Sequence, residues 1–209
     1  MNKKGFFITF EGGEGSGKTT QIKKLAAYFE KQKKEIITTR EPGATLIGQQ
    51  IRQILLDTDH QFSSPLSELL LFTVDRLEHL ASVVIPALKA GKIVLCDRFV
   101  DSTIAYQVGA QKVSYNTFNL LNKLIKIKPG LTFLLDIEPE EGIQRARARA
   151  VLNRLDKKKL VFHHQVRAKY LELAVQDPER IKTINVMGLS EDQVFTKILA
   201  HIKAIGEKL

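Results

Sequence analysis

The segment Gly12-Gly13-Glu14-Gly15-Ser16-Gly17-Lys18-Thr19 constrains this chain more than any other. It fits the pattern G-x-x-x-x-G-K-[ST], with the apolar run Phe6 to Phe10 before it and Ile22, Leu25, Ala26 and Phe29, at i, i+3, i+4 and i+7, after it. Strand, glycine loop and amphipathic helix in that order let consecutive backbone N–H groups turn inward on phosphate oxygens, with the positive end of a helix behind them. Lys18 reaches such phosphates as a point charge, and the Thr19 hydroxyl suits a hard divalent cation. A glycine-rich turn matching by chance would lack the flanking elements.

The rest of the chain repeats the alternation. Glu35 to Thr39, Ile93 to Cys96, Leu131 to Leu135 and Ile181 to Val186 are further strand candidates, apolar nearly throughout. Between them fall helical patterns: Ile47, Ile51, Ile54 and Leu55; a run opened by Ser64-Pro65 and carrying Leu66, Leu69, Leu70 and Phe72; Ile104 to Val108; Leu120 to Ile125; and a helix starting at Pro139. Pro86 predicts a kink or break. Ser190 with Gln193 forms a capping-box pattern ahead of Val194, Ile198 and Ile202. Strands buried on both sides imply a parallel sheet covered on both faces. The expectation is a three-layer α/β P-loop fold, with five parallel strands flanked by helices, over a single domain of residues 1–209.

Composition narrows the partners. Among 209 residues the net charge is +9, which calls for an anionic partner. The segment Arg145 to Lys159 holds seven basic residues against one acid, Asp156, so six of the nine excess charges lie there. Charge so concentrated, without aromatics interleaved among the basic residues, argues against a nucleic-acid track. No run approaches the ~20 apolar residues of a membrane span. The lone Cys96 excludes an intramolecular disulfide framework and fits a reducing, cytoplasmic setting.

Three more places carry chemistry. Asp97-Arg98 stands at the carboxyl end of the third strand, where ligands collect in open α/β sheets, and an arginine there can clamp a phosphate. Phe72 and Arg76, at i and i+4, share a helix face and could stack and edge-bond a base. Arg40-Glu41-Pro42-Gly43 reads as a turn after the second strand.

With these residues on the page, the sequence resembles the thymidylate kinases. The resemblance rests on Phe10 to Thr20, Thr39 to Gly43, Leu71-Phe72 with Arg76, Asp97-Arg98 with Ser102-Thr103 and Ala105-Tyr106-Gln107, Arg145 to Arg149, and Tyr170 to Ala174. It implies transfer of phosphate from ATP to dTMP, giving dTDP on the way to dTTP. ATP would bind Gly12, Gly13, Glu14, Gly15, Ser16, Gly17, Lys18, Thr19 and Thr20, with Arg145 or Arg147 available to adenine. The dTMP site would comprise Glu14 near the sugar 3′-hydroxyl, Pro42, Phe72 stacked on thymine, Arg76 on its O4 edge, Arg98 on the phosphate, and Ser102, Thr103, Tyr106 and Gln107. Mg²⁺ would take Thr19 and Asp97, with Glu11 beside them. The basic segment, about residues 145–160, would be a mobile lid. Because the loop contains no arginine, Arg149 and Arg154 of that lid would join Lys18, Arg98 and Glu14 as catalytic groups. A homodimer is implied by the resemblance as well. The nearest competing readings are a kinase for another nucleotide or a deoxynucleoside, and a nucleic-acid-stimulated P-loop ATPase.

Overall fold

The computed structural model describes residues 5–149 and 152–206. Five parallel strands form one sheet in the order β2-β3-β1-β4-β5. They are β1 (Phe6–Glu11), β2 (Ile36–Arg40), β3 (Ile93–Asp97), β4 (Leu131–Asp136) and β5 (Ile181–Asn185). The helices are α1 (Lys18–Lys31), α2 (Leu46–Leu56), α3 (Pro65–His79), α4 (Ile85–Lys89), α5 (Val100–Thr103), α6 (Tyr115–Asn122), α7 (Pro139–Arg149), α8 (Leu160–Gln176) and α9 (Glu191–Ala204). All five expected strands are present, and their ends move by a residue. Arg40, read as part of a turn, closes β2 instead and pairs with Asp97.

The sheet is central because its inner strands have no polar face to offer water. In β4 every residue is buried, and in β1 all but Phe6. One face packs on α1 and α9, where Phe10, Leu25, Phe29, Phe133 and Ile198 are essentially inaccessible. The other packs on α8 and the segment around Ala105 and Tyr106, and separately on Leu80, Val84 and Phe99. Cutting Phe133 back to Ala would cost about 3–5 kcal/mol from a core this dry.

Local signals set several ends. The Ser64 hydroxyl accepts from the Leu66 N–H ahead of Pro65 in the first turn of α3. Ser190 and Gln193 exchange both bonds of the capping box. Elsewhere the structure departs from the pattern. No break occurs at Pro86: a π-helical turn, Leu80–Val84, carries the chain from α3 into α4, and Pro86 falls in the first turn of α4. The helix runs on through the wider turn, in which the Ile85 N–H donates to Leu80 O, although Pro86 has no N–H to add. Ile104–Ala110 is also π-helical rather than α-helical. Helix α6 begins earlier than expected and turns Leu120 outward, because Phe118 is its buried residue. Among the described residues no helix is long and apolar enough to cross a membrane.

The strand order positions the site. From β1 the chain passes to one side of the sheet for β2 and β3, then to the other for β4 and β5. The loop after β1 therefore opens where the strand order reverses, the place where ligands bind in open sheets. Phe10 is paired in register with Asp97, and Arg98 N–H donates to Phe10 O at 2.9 Å, so the glycine loop and Asp97-Arg98 lie side by side.

Candidate functional site

The loop needs its glycines for space as well as conformation. Gly12 has φ 134°, and a Cβ on it would stand 2.3 Å from Leu135 O; Gly15 has φ 65°, and a Cβ would stand 2.1 Å from Gly142 O. Those approaches press the loop onto β4 and onto the first turn of α7, the helix that leads into the basic segment. Lys18 is buried, with Nζ donating to Gly12 O at 3.0 Å, Gly13 O at 2.9 Å and Ser16 Oγ at 3.3 Å. Burial, with the nearby Arg98 charge, pulls its pKa down. Thr19 Oγ1 donates to Asp97 Oδ2 at 2.9 Å, so the two groups read as metal ligands from positions 78 apart meet in space.

Loop and strand ends open on one cavity of about 770 Å³. Of the residues anticipated from sequence, Glu14, Gly15, Ser16, Gly17, Lys18, Thr19, Thr20 and Asp97 line one part. Pro42, Phe72, Arg76, Arg98, Ser102, Thr103, Tyr106 and Gln107 line another. Gly12 and Gly13 do not line the cavity.

Arg98 is the hub between the two parts. Its backbone is left-handed, φ 69°, a conformation that costs a side chain on the order of 1 kcal/mol. Its guanidinium donates through Nη2 to Glu14 Oε1 at 2.7 Å and through Nη1 to Tyr170 Oη at 3.2 Å and Ser102 Oγ at 3.3 Å. Glu14 Oε1 also accepts from the Tyr106 hydroxyl at 3.0 Å. Burial opposes the charge on Glu14, but Arg98, Lys18 and the Tyr106 hydroxyl outweigh it, and its pKa is lowered. Glu14 thus positions Arg98 through Oε1, and its Oε2 makes no hydrogen bond among the described residues. Glu11 departs from the expectation of a place beside the metal ligands. It faces away from Asp97, accepting from the Phe99 N–H at 2.8 Å, Ser102 at 2.6 Å and Tyr170 at 3.0 Å. Burial, reinforced by the Asp101 charge, raises it to about 7.

Arg76 is buried on α3. Nε donates to Glu41 Oε2 at 2.7 Å, and Nη2 to Thr103 Oγ1 at 2.9 Å and Phe99 O at 3.1 Å. Glu41 is fixed in turn by His79 Nδ1 at 2.8 Å. Thr103 therefore serves Arg76 first, and Nη1 is the nitrogen of Arg76 without a hydrogen bond among the described residues.

The basic segment differs most from its sequence reading. Arg145 donates to Glu141 at 2.9 Å on its own helix and does not line the cavity. The side chain of Arg149 lies outside the described residues. Arg154 is turned away: Nε donates to Leu55 O at 2.9 Å and Nη2 to Glu68 Oε2 at 2.7 Å, with Phe62 against the guanidinium at 4.9 Å. The cause is Glu68, a carboxylate only 2% exposed on α3 that captures the cation. Instead Leu152, Asn153, Leu155 and Asp156 bring this segment to the cavity wall. Of the histidine pair, His163 is buried and His164 accompanies Glu140 at 2.9 Å on the surface.

Sequence reasoning also passed over residues that the fold recruits. Arg40 and Arg52 line the cavity, with Arg52 Nη1 donating to Pro42 O at 2.8 Å. Asp75 holds the Gly43 N–H at 2.9 Å. Tyr170 was visible only as part of a motif. Arg52 sits three residues from Leu55 on a plainly amphipathic helix, where an arginine reads as surface.

A cradle of backbone donors, a buried lysine within it, and a hydroxyl–carboxylate pair beside an arginine clamp make this a P-loop kinase. The thymidylate kinase family model matches residues 10–198. A thymidylate kinase of Syntrophotalea carbinolica is 46% identical over 195 residues, covering 90% of each chain. One of Pelobacter propionicus is 44% identical over 206 residues, covering 95% of this chain and 94% of the other. The crystal structure of thymidylate kinase from Ehrlichia chaffeensis has a TM-score of 0.78 at 33% identity, covering 95% of this chain and 99% of that one. The chain belongs to the thymidylate kinase family.

Proposed function

We propose that the chain is an ATP:dTMP phosphotransferase making dTDP, which further phosphorylation carries to dTTP. The observation that carries this reading is the single cavity shared by the phosphate loop and the Phe72, Arg76, Thr103 and Gln107 wall. Its two parts suit a polyphosphate and a pyrimidine. An oxygen of the dTMP phosphate, held by Arg98, attacks the γ-phosphorus of ATP; the bond to the β–γ bridging oxygen breaks, and ADP leaves. The nucleophile is already anionic near neutral pH, so no protein base is needed. Lys18 and the loop N–H groups stabilise charge on the transferring group. Arg98, prepaired with Glu14, enters the reaction already oriented. Glu14 Oε2 is the acceptor offered to the sugar 3′-hydroxyl, and Arg76 Nη1 the donor offered to O4 of the base.

Thr19 Oγ1 and Asp97 Oδ2, both hard oxygen donors, suit Mg²⁺, which would supply charge neutralisation across the β- and γ-phosphates. Of the two lid arginines, Arg149 is retained as the donor to the phosphates, since Arg154 is held by Glu68 and Leu55. Closure of the segment around residues 145–160 would exclude water from the transferring group. The same reading includes a cytoplasmic homodimer. A stripe of half-exposed Leu66, Leu70 and Val74 on α3, beside Leu46 and Ile47 on α2, suits a second copy; light scattering of the purified protein tests it.

An ATP-coupled assay against a panel of nucleoside monophosphates tests the activity, with dTMP expected to be the preferred acceptor in the presence of Mg²⁺. Arg76→Ala should raise the dTMP KM at least about tenfold. ATP turnover stimulated by DNA and indifferent to dTMP would overturn the reading.

A further inference from the structure

Glu68 does not line the cavity, yet it accepts three hydrogen bonds beside it. Oε1 accepts from Gln107 Nε2 at 3.1 Å and from Gln111 Nε2 at 2.7 Å, and Oε2 accepts from Arg154 Nη2 at 2.7 Å. All three bonds come from groups carried on other parts of the chain: the π-helical segment Ile104–Ala110, the residue following it, and the lid. A carboxylate paired with arginine accepts hydrogen bonds and donates none, whereas a neutral amide can present either its oxygen or its nitrogen. Glu68 therefore decides which way Gln107 faces. The nitrogen must point at Glu68, and Oε1 becomes the group that Gln107, a cavity-lining residue, offers to a ligand.

We propose that Glu68 is a positioning residue that sets the polarity of the base pocket. This rests on reading Phe72, Arg76 and Gln107 as that pocket. With the amide fixed, the wall presents a donor from Arg76 and an acceptor from Gln107. Thymine meets it with an acceptor at O4 and a donor at N3–H. Cytosine has the opposite pattern, an amine at C4 and a bare N3, and meets like against like at both points. A site built to hydrogen-bond one edge rejects the inverse edge because buried partners are left unpaired. Arg154 adds the second half of the device. It lies in the lid segment, its backbone N–H donates to Leu56 O at 3.1 Å and its Nε to Leu55 O, so seating the lid places the cation that holds Glu68 through Oε2 and leaves Oε1 to Gln107.

The test compares dissociation constants for dTMP and dCMP, by calorimetry on the full chain, in wild type, Glu68→Gln, Gln107→Leu and the double variant. Glutamine at position 68 keeps the shape but can show Gln107 either an oxygen or a nitrogen, so the preference for dTMP over dCMP should fall at least about tenfold, with ATP affinity unchanged. In the Gln107→Leu background the second change should move the ratio no further, as coupled residues require. An unchanged ratio in Glu68→Gln, or an undiminished effect without Gln107, overturns the proposal. A wild type without preference for dTMP overturns it together with the pocket reading, and is recognised because the parent protein itself fails. Should Glu68→Gln not fold, Glu68→Asp carries the test, because the shorter arm draws the acceptor back from Gln107 and keeps the charge that pairs with Arg154: a lowered ratio supports the proposal and an unchanged one overturns it.

Discussion

Lys18 in the phosphate loop and Arg154 in the lid segment are both cations that the sequence marks for phosphate, and the fold treats them differently. Lys18 is placed by its own neighbours: every hydrogen bond on its ammonium comes from within six residues, and the cradle around it is one continuous stretch of backbone. Arg154 is placed by Leu55 and Glu68, 99 and 86 residues away, and they hold it off the cavity. A positive charge in a loop whose shape is dictated by glycine can be assigned a direction from sequence. A positive charge on a segment whose partners lie on other helices cannot.

That contrast can be broken by exchange of roles. Lys18→Ala should lower kcat by about 10²–10³ with little change in melting temperature, since it removes charge directed at the transferring group. Steady-state kinetics beside a thermal melt checks both halves. Arg154→Met should do the reverse, destabilising the fold by about 3 kcal/mol because Glu68 is left buried without its cation, with a kcat loss well short of that for Lys18. Chemical denaturation gives the first figure. If Arg154→Met instead matched Lys18→Ala in kcat at unchanged stability, the two regions would be doing the same work.

Asp75 sharpens the comparison at smaller amplitude, since it is another group placed from a distance. It holds the Gly43 N–H through Oδ1, while its buried Oδ2 has no partner among the described residues. Burial raises its pKa from 3.8 to about 6, with the Gly43 hydrogen bond opposing and the Glu41 charge adding. A carboxyl whose folded pKa lies above its unfolded one contributes stability that is full below 3.8 and is lost as pH rises through about 6. Asp75→Asn, which mimics the protonated form, should therefore be more stable than wild type above about pH 6, by on the order of 1–2 kcal/mol. The gap should close toward pH 4 in urea titrations across that range. The smallest effect belongs to a wholly local feature: Ser190→Ala should cost about 1 kcal/mol, whatever the pH, because it removes the cap of α9 and nothing else.

Much of the fold was legible because it is repetitive and local. Runs such as Ile93 to Cys96 are apolar on both faces, which leaves a buried parallel strand as their natural home, and Ser64-Pro65 and Ser190 with Gln193 announce helix starts by chemistry confined to a few residues. Pro86 misled because a proline's cost depends on the turn it falls in, and the wider π-turn before it carries the helix on. Helix α6 misled because its one buried residue, Phe118, is chosen by the neighbouring core rather than by its own pattern.

For the site, the sequence alone determined the phosphate loop, Asp97-Arg98 at the end of a strand, and the i, i+4 pair Phe72 and Arg76, each from a short motif or spacing, while Thr103 and Gln107 entered through the family resemblance. Only the tertiary structure decided what those side chains do with their donors and acceptors: that Glu14 aligns Arg98, that Glu41 and Thr103 fix Arg76, that Glu11 serves Ser102 and Tyr170, and that Glu68 claims both Gln107 and Arg154. A buried polar group must find partners wherever the packed chain brings them, and those partners lie tens of residues away, where no local pattern records them.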